Sequence, residues 1–153
     1  MSNDALSPPE SVPEITRAVT RGVARLLGDL GLGVLTEFPL ATGRRVDVIG
    51  IDRAGVITVI EVKASVADFK GDRKWREYLD FCDRFFFAVS ADFPRELLPA
   101  DENCGVIIAD RFGAEILREP VTEKLAAARR KAVTLRFART ASQRLQSMLD
   151  PGL

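Results

Sequence analysis

Residues 44–63 read RRVDVIGIDRAGVITVIEVK, and the way this stretch folds back on itself decides the architecture. Two apolar runs, Arg44–Ile51 and Val56–Lys63, flank Asp52-Arg53-Ala54-Gly55. An Asp at the start and a Gly at the end suit a three-residue hairpin loop, a type I turn closed by Gly55 in the left-handed region, which pairs Asp52 with Val56. Counting back along both strands sets Asp47 opposite Glu61. Upstream, Ala41-Thr42-Gly43 has the same turn chemistry. It pairs Leu40 with Arg44 and sets Glu37, on a strand Val34–Leu40, opposite Asp47. Side chains alternate along a strand, so Lys63 shares the face of Glu61. The expectation is a three-stranded antiparallel meander with Glu37, Asp47, Glu61 and Lys63 on one face.

Helical signals enclose the meander. Ser11 and Glu14 have the spacing of a capping box, and Ile15, Val19, Val23, Leu26, Leu27 and Leu30 follow at helical intervals before Gly31. After the meander Ser65 caps a second helix with Asp68 in its first turn. Gly71 interrupts that helix before Trp75, Tyr78, Leu79 and Cys82 form a buried stripe. Strands are predicted at Phe85–Val89 and Gly105–Ala109. A final helix is predicted over about 121–149, which holds no Gly or Pro, with Val133–Phe137 its weakest part. The polar, proline-bearing residues 1–10 read as a flexible tail, and residues 11–153 as one domain. The order α-β-β-β-α-β, with no linker or repeat to divide it, predicts an α/β fold with a mixed sheet.

Composition removes whole classes of chemistry. The chain has no histidine, so Ser-His and Cys-His nucleophile pairs, imidazole-ligated metals and an imidazole base are all excluded. Its two cysteines, Cys82 and Cys104, are far apart and form neither a CxxC motif nor a disulfide framework, and buried thiols are expected. No apolar run approaches the ~18 residues of a membrane span, and the first sixteen residues carry acids but no basic residue. A cytoplasmic protein with no membrane partner is the expectation.

What remains is carboxylate, lysine and metal chemistry. Carboxylates directly opposed on neighbouring strands repel one another, and the strands that carry them are apolar on both faces, so the acids lie near the partly buried end of a covered sheet. Lysine or a cation must compensate. Oxygen ligands without imidazole suit a hard divalent ion, Mg²⁺ or Mn²⁺, held by Asp47, Glu61 and Glu37. Such an ion activates water and stabilises charge on a phosphate, with Lys63 beside it. Asp47, Glu61 and Lys63 thus point to phosphodiester hydrolysis. The competing reading of a Glu-x-Lys triplet is an ordinary surface ion pair.

Asp47, followed by Glu61-Val62-Lys63 in this order of elements, resembles the PD-(D/E)XK nuclease superfamily. The resemblance implies a restriction-endonuclease-like three-layer α/β/α fold with a mixed sheet, here extended by a C-terminal helix, with divalent metal on the Asp and Glu and the Lys in catalysis. Val46 stands where that motif has proline. Lys74-Trp75-Arg76-Glu77-Tyr78 resembles the helix element of RecB-like nucleases, in which a Gln and a Tyr four apart lie near the site. Lys74 replaces the Gln, so Lys74 and Tyr78 become candidate DNA contacts, while Trp75 also reads as a core aromatic. More specifically, GRRVDVIGID, IEVKASVADFKGDRKWREYLDFCDRFFFAV and the later LLP and IIAD look like the MmcB-type DNA repair proteins over nearly the whole chain after the tail. That resemblance implies a bacterial cytoplasmic protein of DNA repair with a nuclease-like core.

Lysines and arginines equal acids at 22 each, yet their distribution is uneven. From Lys124 to Ser147 the chain carries Arg129, Arg130, Lys131, Arg136, Arg139 and Arg144 and no acid, while Arg44, Arg45, Lys70, Arg73, Lys74 and Arg76 lie near the proposed site in sequence. Arg44, Arg45, Lys74, Arg130 and Lys131 are the candidate phosphate contacts for a DNA partner; a solvated helix face is the other reading of the C-terminal group. Two functions follow: a Mg²⁺- or Mn²⁺-dependent DNA nuclease, or a non-catalytic DNA-binding or adaptor module that recruits other repair proteins.

Overall fold

In the computed structural model, which describes residues 7–71 and 74–152, the Ser11 hydroxyl accepts the Glu14 N–H (3.3 Å) and donates to the Glu14 carboxylate (2.8 Å). This exchange opens helix α1, Val12–Asp29. At its other end Gly31, at φ +86°, closes a Schellman motif: Leu32 N–H reaches the Leu27 carbonyl and Gly31 N–H that of Gly28, both at 3.0 Å.

Six strands follow in one sheet whose spatial order is the chain order: β1 (Gly33–Pro39), β2 (Arg45–Ile51), β3 (Ile57–Val62), β4 (Arg84–Val89), β5 (Gly105–Ala109) and β6 (Ala114–Arg118). β1, β2 and β3 are antiparallel, β3, β4 and β5 parallel, and β6 antiparallel to β5. Both hairpin loops form as the turn chemistry predicts. Asp52 N–H bonds the Val56 carbonyl (3.1 Å) and Leu40 N–H that of Arg44 (2.7 Å), with Gly55 and Gly43 at φ +83° and +87°. The registers Val48↔Ile60 and Phe38↔Val46 are those counted from the turns.

Helices cover both faces. α1 lays Val19, Val23 and Leu27 on Val48, Ile60, Phe86 and Ile107. A Cβ on Gly22 would stand 2.0 Å from the Asp110 carbonyl oxygen, so only glycine lets α1 approach the β5–β6 turn this closely. The other face carries helix α2 (Val66–Gly71), a 3-10 helix (Trp75–Phe81) and helix α3 (Ala127–Leu149), which pack Trp75, Tyr78, Phe81 and Val133 on Phe38, Ile49, Val59, Phe85 and Phe87. The result is a three-layer α/β/α arrangement with a C-terminal helix.

The molecule departs from the sequence-based expectation at four places. Helix α2 ends at Gly71 as expected, but the segment after it, Trp75–Phe81, is a 3-10 helix and not a resumed α-helix. Strand β6 adds an edge strand beyond those the sequence predicts. The last helix starts at Ala127 rather than near 121, because the preceding residues spend their N–H groups on other partners: Val121 on Glu102 O (2.7 Å), Glu123 on Asp83 O (2.9 Å) and Leu125 on the Asp83 carboxylate (2.9 Å). Finally, strand alternation breaks at Glu37 and Asp47. Leu35 and Phe38, three apart, pack on the same face, whereas Val46 and Val48, two apart, pack on opposite faces. Glu37 sits in the left-handed region at φ 48°, which costs a non-glycine residue roughly 1–2 kcal/mol. The Arg144 guanidinium on α3 holds this kink by donating to the carbonyls of Thr36 (2.6 Å) and Glu37 (2.7 Å).

Candidate functional site

Beyond Val48↔Ile60 the β2–β3 ladder stops, and side chains take over the hydrogen bonds that the ladder would have made. Asp47 N–H donates to Glu61 Oε1 (3.1 Å), and Val62 N–H donates to Asp47 Oδ2 (2.7 Å). Each carboxylate therefore satisfies a backbone donor where the strands part. On the other side of β3 the parallel pairing continues as Lys63 N–H bonds the Ala88 carbonyl (3.0 Å), which fixes the Lys63 backbone. Glu61 and Lys63 are 6% and 7% exposed, and Asp47 is half-buried. Burying charges at this depth is costly unless they compensate one another.

Burial raises the Asp47 carboxyl above the ordinary carboxylate range; the Val62 N–H, the Lys63 charge and the Glu61 side chain pull it back, and the Asp68 charge adds to the rise. Asp47, Glu61 and Lys63 thus share one neighbourhood. Asp68, which the sequence shows only as an acid in a capping turn, acts on Asp47 through its charge without joining the two carboxylates as a third ligand. The available signal was its place in the first turn of the helix that follows β3. Glu37, the expected third ligand, is not brought in: among the described residues no three acids or cysteines gather as metal ligands. The face assignment for Glu37 assumed unbroken alternation, and the left-handed kink removes that assumption.

Two carboxylates are enough for a hard cation that keeps most of its shell as water and substrate phosphate. A carboxylate offers about four lone-pair sites on two hard oxygens, so Asp47 and Glu61 fit Mg²⁺ or Mn²⁺ as a pair by donor type. Neither thiol contributes: burial pushes Cys82 up, and Cys104 up to about 11, so both stay protonated at neutral pH.

The candidate phosphate contacts divide. Arg45, Lys74 and Lys131 are exposed. Arg44 is half-buried, with its Nε 3.3 Å from Glu77, and ties the hairpin to the 3-10 helix. Tyr78 and Arg130 have other work. Tyr78 is buried, its ring nearly parallel to Phe85 at 6.2 Å, because it fills the core beneath the 3-10 helix. Trp75 stacks on Phe85 likewise, at 5.5 Å. Arg130 closes a fork on the buried Asp83 carboxylate (2.7 and 2.5 Å) and bonds the Gly55 carbonyl (2.6 Å). Arg73 lies outside the described residues.

The family model described as DNA repair protein MmcB-like matches residues 5–152. Among solved structures, a protein of unknown function from Silicibacter pomeroyi is 49% identical, with a TM-score of 0.85 over 90% of this chain and 92% of that one. A repair endonuclease from Pyrococcus abyssi is 22% identical over 56% of this chain and 40% of its own, with a TM-score of 0.34, a likeness too loose to bear on activity. No curated protein matches.

Proposed function

Because the chain belongs to the MmcB-like family of DNA repair proteins, we propose that the parted ends of β2 and β3 form a divalent-metal site that hydrolyses a phosphodiester bond of DNA. The observation that carries this is that the Glu61 carboxylate accepts Asp47 N–H and the Asp47 carboxylate accepts Val62 N–H beside a buried Lys63. In that arrangement two acids are held rigidly at a strand end instead of being dispersed to solvent. Asp47 and Glu61 would hold Mg²⁺ or Mn²⁺, which would supply neutralisation of the scissile phosphate and a bound water more acidic than bulk water. Lys63, fixed by β3, directs its ammonium at charge that develops on the phosphate during attack, an interaction stronger in the transition state than in the ground state. Asp47 must be ionised to hold the cation, and its raised carboxyl pKa makes metal affinity rise with pH through that titration. The exposed Arg45, Lys74 and Lys131 contact the DNA backbone and set its register on the protein.

A second reading is supported by the absence of a gathered third acid among the described residues: a DNA-binding or adaptor module whose carboxylates serve only the backbone of the parted strands. Cleavage of labelled single-stranded, duplex and branched DNA with Mn²⁺ or Mg²⁺ separates the two. Under the nuclease reading the wild type cuts at least one substrate and Lys63→Met binds without cutting. Binding without cutting by the wild type favours the adaptor.

A further inference from the structure

A groove of about 660 Å³ lies on the α3 side of the molecule, within the size range of ligand sites. Its floor is apolar, formed by Leu40 of the β1–β2 loop, Phe81 of the 3-10 helix and Val133 of α3, and its rim carries Arg129, Arg136 and Arg139. No acid lines it. Arg129 stands 4.5 Å over the Phe81 ring, which places a guanidinium directly on the apolar floor. Leu135, also in the lining, is 58% exposed. The α3 residues of the wall run from Arg129 to Gln143, about 21 Å of helix at 1.5 Å per residue.

We infer that this groove is a docking site for an acidic amphipathic helix of a partner protein, whose apolar face covers Leu135 and the floor while its carboxylates pair with Arg129, Arg136 and Arg139. The groove length matches about four helical turns, and an apolar floor with a cationic rim is the complement of a helix with apolar residues at i, i+3, i+4 and i+7 and acids beside them. Nucleic acid fits less well. Non-specific single-strand sites offer open aromatic faces for base stacking, whereas the Phe81 ring already carries the Arg129 guanidinium over its face, and an exposed leucine gives nothing to a phosphate. The surface is independent of the carboxylate site, so the proposal stands or falls apart from the nuclease reading.

Panning a random peptide phage library on the full chain, with counter-selection on an Arg136→Glu/Arg139→Glu variant, tests it. Enriched sequences are expected to be acidic with apolar residues at helical spacing. A synthetic ~14-residue peptide of the enriched sequence, followed by fluorescence anisotropy, should lose about tenfold or more in affinity on the double charge reversal. It should lose about tenfold on Leu135→Ser, and a version with every Glu and Asp changed to Lys should not bind. Leu135, Arg136 and Arg139 are exposed, and an unchanged melting temperature in each variant confirms that the fold is kept. The proposal is overturned if no acidic amphipathic sequence is enriched, or if the enriched peptide binds wild type and variants alike. It is equally overturned if only an oligonucleotide binds, losing affinity on the charge reversal but not on Leu135→Ser, which assigns the groove to nucleic acid.

Discussion

Replacing Arg130 by methionine should unfold the molecule more readily and leave DNA binding unchanged in the remaining folded fraction. Asp83, with its side chain 1% exposed, accepts from Ile57 N–H (2.7 Å) and Leu125 N–H (2.9 Å) as well as from both Arg130 nitrogens. It therefore joins β3, the segment before α3 and α3 itself at one carboxylate. Removing one partner of a buried ion pair costs about 3–5 kcal/mol because the other charge is left uncompensated. Two backbone donors remain on Asp83, so the lower end, about 3 kcal/mol, is expected, a melting-temperature drop of roughly 6–12 °C for a chain of this size. Burial alone would raise the Asp83 carboxyl, but Arg130 and the two N–H groups overcome it and hold the group below its ordinary value. A depressed carboxyl stabilises the fold above its unfolded-state pKa of about 3.9 and loses that contribution as pH falls through the native value. Without Arg130 the carboxyl moves up, so the gap between wild type and variant is widest near neutrality and narrows in acid. Urea unfolding followed by circular dichroism at neutral and acid pH measures both. An Arg130→Met protein as stable as wild type at neutral pH, but impaired in DNA binding, would refute this assignment and return Arg130 to the phosphate surface.

Three other outcomes follow from the same geometry. Glu37→Gly should stabilise the fold by about 1 kcal/mol in urea melts, since glycine adopts the left-handed φ without penalty, and a loss of stability would show that the Glu37 side chain has a structural role. Lys63→Met should abolish DNA cleavage in a gel assay while its dissociation constant stays within about threefold of wild type, because affinity rests on phosphate contacts elsewhere; parallel loss of binding would place Lys63 in ground-state recognition. Lys131→Ala should lower the slope of log affinity against log salt on duplex DNA by about 0.9 and leave stability unchanged, and an unaltered slope removes Lys131 from the interface.

The meander was legible because two short loops carry unambiguous turn chemistry, so register could be counted from Gly43 and Gly55 without any packing information. That count brought Asp47 and Glu61 together. At Glu37 the register holds and the face assignment does not, for a physical reason: a residue at φ 48° breaks the alternation of faces, and nothing in the local sequence announces a left-handed glutamate. The clamp that supports it, Arg144 on α3, lies more than a hundred residues away. Arg130 and Tyr78 show the same limit from the other side. Residue type makes arginine a phosphate ligand and tyrosine a site residue, but the buried Asp83 carboxylate and the Phe85 ring claim them through contacts that only the tertiary fold creates. Strand β6, AEILR at the sheet edge, alternates only between exposed and half-buried positions and so gives too weak a period to read. Val133–Phe137 is helical despite poor propensity because Val133 is buried and Phe137 packs against the Phe38 ring at 6.2 Å; packing overrides propensity there.

Calorimetric titration of Mn²⁺ into the wild type, Asp47→Asn and Glu37→Gln tests the central claim, that Asp47 and Glu61 hold a divalent cation, most directly. Asparagine still accepts the Val62 N–H, so Asp47→Asn keeps the parted strands in place while removing one charge. The wild type should bind at one site, with affinity that rises as pH is raised through the Asp47 titration; Asp47→Asn should bind roughly tenfold or more weakly, and Glu37→Gln should match the wild type. Equal binding by wild type and Asp47→Asn, or no binding by the wild type, would contradict the account.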